Sequence, residues 1–528
     1  MDIRRLLLII LTVLCFAVTG SSLVGSLNET QIQSRLELYQ TNLLLRTVGL
    51  DGDRVKAPTE MNLSMETIGQ AIRAGFGQGD TFNQALKSYE VFRKSAQGNL
   101  EKLNATSSNI TTPDELFAVD AEIKRQTQTI AEVDLRIGLL YAFQGQTDSA
   151  QQQWAPLLPN TFDWADAVQN PAPIPTEQIA QTAGILAELW RESPTLTTTT
   201  VPPQLQTLDG WFGDVAIARW YELTHQTDAL TDLQSTVSLR ANRTALKLST
   251  VNLVPILGLL IGTGLLVYLL IQRFRQKSQS ILALNSTEPW QIPWSDEAVL
   301  QTFVVGFFFA GQFIVPIVLA GSLSFAGINP ATLTGLPKAS YILLGYGLLS
   351  IAGLWILRYS IRDHWPLTKE WFNYNLRDRW LGWGIGGYAI ALPLVVGISL
   401  INQAIWQGQG GSNPILSIIL ENRDPWAIAA FFITAAIAAP LFEETLFRGF
   451  LLPSLTRHLS PWGAVVVSGF IFAIAHLSLS EVLPLTVLGI VLGGVYLRTR
   501  NLLAPILVHG LWNSGTLISL LVLSNGGI

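Results

Sequence analysis

Glu443, Glu444, His476, His509 and Asn513 fall within 71 consecutive residues of a stretch dominated by apolar side chains. They occur in three short patterns: Glu443-Glu444-x-x-x-Arg448, Phe472-x-x-x-His476 and His509-x-x-x-Asn513. A spacing of four places the paired residues on one helical face, where Glu444 can pair with Arg448. An ionisable group in a membrane helix costs roughly 2.5–3.5 kcal/mol on insertion scales, so its retention points to function. One such histidine alone reads as a polar contact between helices; the three patterns together read as a site. A carboxylate beside an imidazole can polarise a water and take its proton, which is the chemistry of hydrolysis. A second histidine and an asparagine can donate hydrogen bonds to a developing oxyanion. Alternatively, two histidines and a glutamate can hold zinc with one position open. There is no HExxH, so either arrangement must be assembled from three helices. The single cysteine, Cys15, excludes an intrachain disulfide and every Cys-rich metal or iron–sulfur site.

The elements that must carry these groups read as membrane helices. Of the 528 residues, 49% are apolar and only 13% charged, and mean hydropathy is +0.35. That excludes a disordered chain and argues against a wholly soluble one. The net charge of −5 gives no basic patch for nucleic acid. Residues 27–247 hold 17 basic and 26 acidic residues, a net of −9, while the remainder nets +4 and contains almost all the long apolar runs. An all-α polytopic membrane protein is therefore expected, with a soluble helical domain inserted between its first two spans. The expected divisions are an anchor at 1–26, an extracytoplasmic domain at 27–247, a second span with a basic flank at 248–277, and a membrane domain at 278–528.

Against the roughly 20 residues a bilayer demands, nine apolar runs are candidate spans: Leu6–Val24, Val251–Ile271, Val299–Leu323, Tyr341–Leu357, Leu381–Ile401, a long run from Trp426, Gly463–Leu477, Leu483–Leu497 and Leu502–Leu523. The first could also be a signal peptide; its length favours an uncleaved anchor. With the N-terminus inside, 14 Lys and Arg residues fall on inner segments, and the short outer loops carry only Lys338 and Arg423. That split follows the positive-inside rule and leaves 27–247 outside. Trp290, Trp294, Trp380, Trp383, Trp426 and Trp462 stand near span ends and read as interfacial aromatics. Pro440, one turn before Glu443, frees a backbone carbonyl at the site. Gly489-x-x-x-Gly493 reads as helix packing. In the acidic domain, Asp134–Trp154 resembles a tetratricopeptide hairpin, with a weaker echo starting at Trp220.

The three patterns, in their order and on successive spans, resemble the signature of the CPBP family, the CAAX prenyl proteases and bacteriocin-processing or immunity proteins. The resemblance covers roughly 381–523 and implies an intramembrane endopeptidase with a cavity at membrane depth. It implies Glu443 as the base that activates water, assisted by His476. Glu444 then orients the site and pairs with Arg448, Phe472 supports it, and His509 and Asn513 stabilise the oxyanion. A divalent metal such as zinc, held by Glu443, His476 and His509, stays open beside a metal-free glutamate mechanism. The expected substrate is a membrane-associated or lipidated peptide, the expected location a bacterial plasma membrane. The domain at 27–247 lies outside the resemblance and suits a protein partner. The competing functions are a non-catalytic adaptor or immunity-type protein that uses this domain, and a transporter, for which no internal repeat is visible.

Overall fold

The computed structural model describes residues 3–27, 32–48, 50, 81–107, 113–158, 175–196, 199–283, 285, 287–330, 333–368, 371–406, 410–411 and 424–524. Arg423 of the outer-loop count lies outside them. The described residues form helices and turns without a strand. Contacts group residues 1–32 with 254–521 as one unit, and 33–253 with 522–528 as another.

The first helix is α1 (Ile3–Ser26). The second unit then holds α2 (Ile32–Leu45), α3 (Thr81–Ser107), α4 (Pro113–Phe143), α5 (Thr147–Trp154), α6 (Pro175–Leu189), α7 (Trp211–Leu223) and the start of α8 (Thr227–Gln276). The tetratricopeptide-like stretch is the α4–α5 hairpin. Gly145 supplies the left-handed turn at φ +77°, a conformation that suits glycine. Trp154 is fully buried beside Gly138, and its indole N–H donates to the Leu135 carbonyl at 3.2 Å. The echo at Trp220 folds into the same turn between α7 and α8. The Gln146 and Gln226 amides bond Tyr141 O and Tyr221 O, each at 2.9 Å. His225, at φ +56°, stands where the first turn has Gly145.

The membrane unit continues with α9 (Asp296–Phe325), α10 (Gly335–Ser360), α11 (Trp380–Trp406), α12 (Pro425–Leu455), α13 (Pro461–Ile474), α14 (Leu479–Thr499) and α15 (Leu503–Ser524). Seven helices among the described residues, α1, α8 to α12 and α14, are long and apolar enough to cross a membrane. α13 has 14 residues, about 21 Å at 1.5 Å per residue, and is shorter than the hydrocarbon core of about 30 Å. A turn extends its reach. The Leu479 amide donates to the Ser26 hydroxyl at 3.1 Å, and Asn402 Nδ2 donates to Ser480 O at 2.7 Å. The α13–α14 turn is thus level with the C-terminal ends of α1 and α11.

Helix starts follow local chemistry. Asp424 caps α12 by accepting from the Trp426 amide at 2.9 Å, and Ser460 caps α13 by accepting from Gly463 at 3.2 Å. Each is followed by proline, whose missing N–H has no consequence at a first helical position. α12 is the most enclosed span, with 44% of its most apolar window buried, against none for α1. Two of the tryptophans expected at the lipid interface belong instead to the protein core. Trp294 is fully buried and donates to Ser454 Oγ at 2.9 Å, and Trp290 stacks on Tyr496 beneath Arg500. Side-chain partners drew these rings inward; Trp426 stays exposed.

Candidate active site

α12 is not a uniform helix. Wider π turns at Ile433–Ala438 and Phe447–Leu451 flank the α-helical segment Ala439–Leu446, which carries both glutamates. Such turns recur at functional sites because they re-aim side chains and open backbone groups. In the first π turn the Ala439 amide bonds Thr434 O, five residues back. The next amide in that register belongs to position 440, where proline has none, and Ala435 O is left without its helical donor. Asn513 Nδ2 fills the vacancy at 2.7 Å. Beside it, a Cβ on Gly510 would come within 2.9 Å of Ala436 O, so glycine lets α15 lie against the opened turn.

This docking brings His509 onto the glutamates. His509 Nδ1 lies 2.8 Å from Glu444 Oε1, and Nε2 lies 4.0 Å from Glu443 Oε2. Facing a carboxylate, Nδ1 is assigned the ring proton. Glu444 Oε1 also accepts from Arg448 Nη1 at 2.9 Å, and both side chains have no exposed surface. Arg448 Nη2 donates to Gly489 O at 3.1 Å, and its guanidinium lies 4.5 Å from the centre of the Phe472 ring. Gly489 is reachable because α13 and α14 touch at backbone distance there: a Cβ on Gly489 would stand 2.6 Å from Gly469 Cα. The glycine pair read as packing does pack, and it also presents a carbonyl to Arg448.

Phe472 is fully buried at the centre of the cluster. Its ring meets His476 at 4.9 Å, Phe447 at 5.4 Å and His509 at 5.6 Å, each edge to face. His476 Nδ1 is engaged with Phe472 O at 2.9 Å. Among the described residues His476 has no hydrogen bond or ion pair with either glutamate, and its Nε2 has no protein partner. The histidine joined to the carboxylates is therefore His509. Sequence reasoning also missed Tyr346 of α10, whose hydroxyl donates to Glu443 Oε1 at 2.7 Å. Its only signal was a phenol near the middle of an apolar span. The other Glu443 oxygen, Oε2, is buried and without a partner among the described residues, as are Glu444 Oε2 and Arg448 Nε.

The donor set does not fit a three-ligand metal shell. Among the described residues no three His, Cys, Asp or Glu side chains come close enough to share one ion. His509 Nδ1 is engaged with Glu444 and His476 Nδ1 with a carbonyl, which leaves Nε2 as the one free nitrogen of each ring.

Residues 425–515, which span α12 to most of α15, match the family described as Type II CAAX prenyl endopeptidase Rce1-like. Residues 425–515 thus resemble the domain of the CPBP family. The chain is 26% identical over 228 residues to the membrane-embedded CAAX protease MroQ of Staphylococcus aureus (strain USA300), covering 42% of this chain and 88% of that protein. It is 28% identical over 139 residues to YdiL of Bacillus subtilis (strain 168), covering 26% of this chain and 54% of YdiL. It is 27% identical over 140 residues to an uncharacterized 24.3 kDa protein of Escherichia coli, covering 26% and 62% of the two chains. The chain thus spans about half the length of YdiL. No solved structure matches.

Proposed function

We propose that this protein is an intramembrane endopeptidase that uses a glutamate-activated water to cut a membrane-associated or lipidated peptide. One observation carries the reading: Glu443 Oε2 and His509 Nε2 face each other across 4.0 Å, each held from behind and neither otherwise engaged. A water at about 2.8 Å from both would subtend about 90°, close to the angle between its two hydrogens. It would donate one hydrogen to each acceptor and turn a lone pair toward a scissile carbonyl.

In this reading the water oxygen attacks the carbonyl carbon as its proton passes to Glu443. The new C–O bond makes a tetrahedral oxyanion. The proton then moves to the leaving nitrogen as the C–N bond breaks, and the carboxylic acid and the amine separate. Glu444, anchored by Arg448, holds His509 in the required tautomer. Asn513 keeps one amide hydrogen for the oxyanion, and Nε2 of His476 is open to the same task or to the leaving group. Relative to the expectation from sequence, the two histidines exchange tasks. With the N-terminus inside, Glu443 lies about 27 Å from the outer end of α12 and about 18 Å from the inner end, counting residues at 1.5 Å each. That depth suits a substrate anchored from the inner face, and residues 27–247 are then outside, available to a protein partner.

The test is cleavage of a fluorogenic peptide library, lipidated members included, by full-length protein in nanodiscs. Wild type should cut and Glu443→Gln should not, and wild-type cutting should survive a chelator. Equal cutting by wild type and Glu443→Gln would refute the glutamate role. Loss of cutting in chelator, restored by added zinc, would refute the metal-free chemistry.

A further inference from the structure

A carboxylate that activates water has two equivalent oxygens and a freely turning terminal bond. Something must decide which oxygen meets the water. In this site Oε1 of Glu443 accepts from Tyr346 and Oε2 alone faces His509. Tyr346 is the twelfth of the 26 residues of α10, near mid-span. Tyrosines of membrane helices gather at the interfaces, as Tyr341 and Tyr359 do toward the two ends of this helix. A phenol at mid-span needs a partner for its hydroxyl. The ring is placed by an edge-on contact with Phe442 at 6.0 Å, the residue preceding Glu443. The hydroxyl is thus aimed by packing on the same helical segment whose carboxylate it holds.

We propose that Tyr346 is a positioning residue of the hydrolytic site: its hydroxyl pins Glu443 through Oε1 and leaves Oε2 as the single oxygen presented to the water. The inference rests on the glutamate–water reading above and names a residue outside the segment that matches the family. It requires that loss of the hydroxyl slow turnover without weakening substrate binding, because Tyr346 touches the base and not the peptide.

Tyr346→Phe removes one oxygen and keeps the ring against Phe442. In purified full-length protein it should lower kcat on the order of 10- to 100-fold, the size associated with partners that orient site ligands. KM should stay within about 2-fold, the pattern of an interaction that acts on the chemical step. In a Glu443→Asp background, where the shorter carboxylate does not reach the hydroxyl, the same change should alter kcat by less than about 2-fold. Tyr341→Phe and Tyr359→Phe, on the same helix, should leave both constants unchanged. Circular dichroism and elution volume report folding. If Tyr346→Phe unfolds, 3-fluorotyrosine at position 346 keeps every atom of the hydrogen bond and alters its strength, and a shift in kcat at constant KM is then the supporting result. Retained kcat in Tyr346→Phe or in the fluorinated protein, a loss confined to KM, or an equal loss in the Glu443→Asp background overturns the inference. Cleavage that survives Glu443→Gln overturns the proposed function and this inference with it. Cleavage lost in Glu443→Gln but undiminished in Tyr346→Phe overturns the inference alone.

Discussion

Glu444→Gln keeps the shape of the side chain and removes its charge, which isolates the energetics of the buried pair. Arg448 has no exposed surface and its carboxylate partner stands at 2.9 Å. Without that partner the guanidinium keeps the Gly489 carbonyl at 3.1 Å and the face of Phe472 at 4.5 Å. Breaking a buried pair from one side costs about 3–5 kcal/mol, because an uncompensated charge remains. A desolvated cation over an aromatic ring retains about 2 kcal/mol, so the lower end, near 3 kcal/mol, is expected. At about 2–4 °C per kcal/mol for a domain of this size, melting should fall by about 6–12 °C. Adding Arg448→Met should restore most of the loss, since removing both charges of a buried pair is close to neutral. Tryptophan fluorescence during a fixed-rate thermal scan of full-length protein in mild detergent reads both values. A single variant that melts with wild type, or a double variant that melts below the single, would refute the account of Arg448 as a cation dependent on Glu444. Neither variant should cut peptide, because His509 loses its orienting carboxylate in both.

Gly489→Ala places a methyl within 2.6 Å of Gly469 Cα. Separating α13 from α14 should cost about 1–3 kcal/mol and draw the Gly489 carbonyl away from Arg448, so melting temperature and cleavage should fall together. In the unit that holds α2 to α7, His225→Gly relieves a side chain from the left-handed turn that Gly145 serves in the equivalent hairpin. It should stabilise that unit by about 1 kcal/mol, read as slower amide exchange in α7 in the full-length protein.

The sequence displayed what lies within one helix and concealed what depends on the rotation of one helix against another. Glu444 and Arg448 pair as their spacing requires, since four residues along one chain fix the geometry. Which histidine meets which glutamate depends on how α15 seats on α12. That seating is set by Pro440, the π turn before it and the small face at Gly510, none of which has a periodic signature. Asn513 fits the expected pattern yet spends one amide hydrogen on Ala435 O, a bond visible only once the π register is known. Tyr346 escaped because hydropathy reads a tyrosine as nearly apolar and because rings in spans are attributed to the interface. Trp290 and Trp294 erred by the same rule in the other direction, their indoles having found the protein core instead of lipid headgroups.

The placing of Arg448 on the same helix as Glu444 also has a meaning in time. The two charges are made within one turn of each other, so they can enter the bilayer as a neutral pair during synthesis. His509 is made 65 residues after Glu444, about 3–13 s later at ~5–20 residues per second. Throughout that interval the imidazole that meets Glu443 in the folded protein has not yet been made. In the proposed mechanism the water site is therefore complete only once α15 has docked.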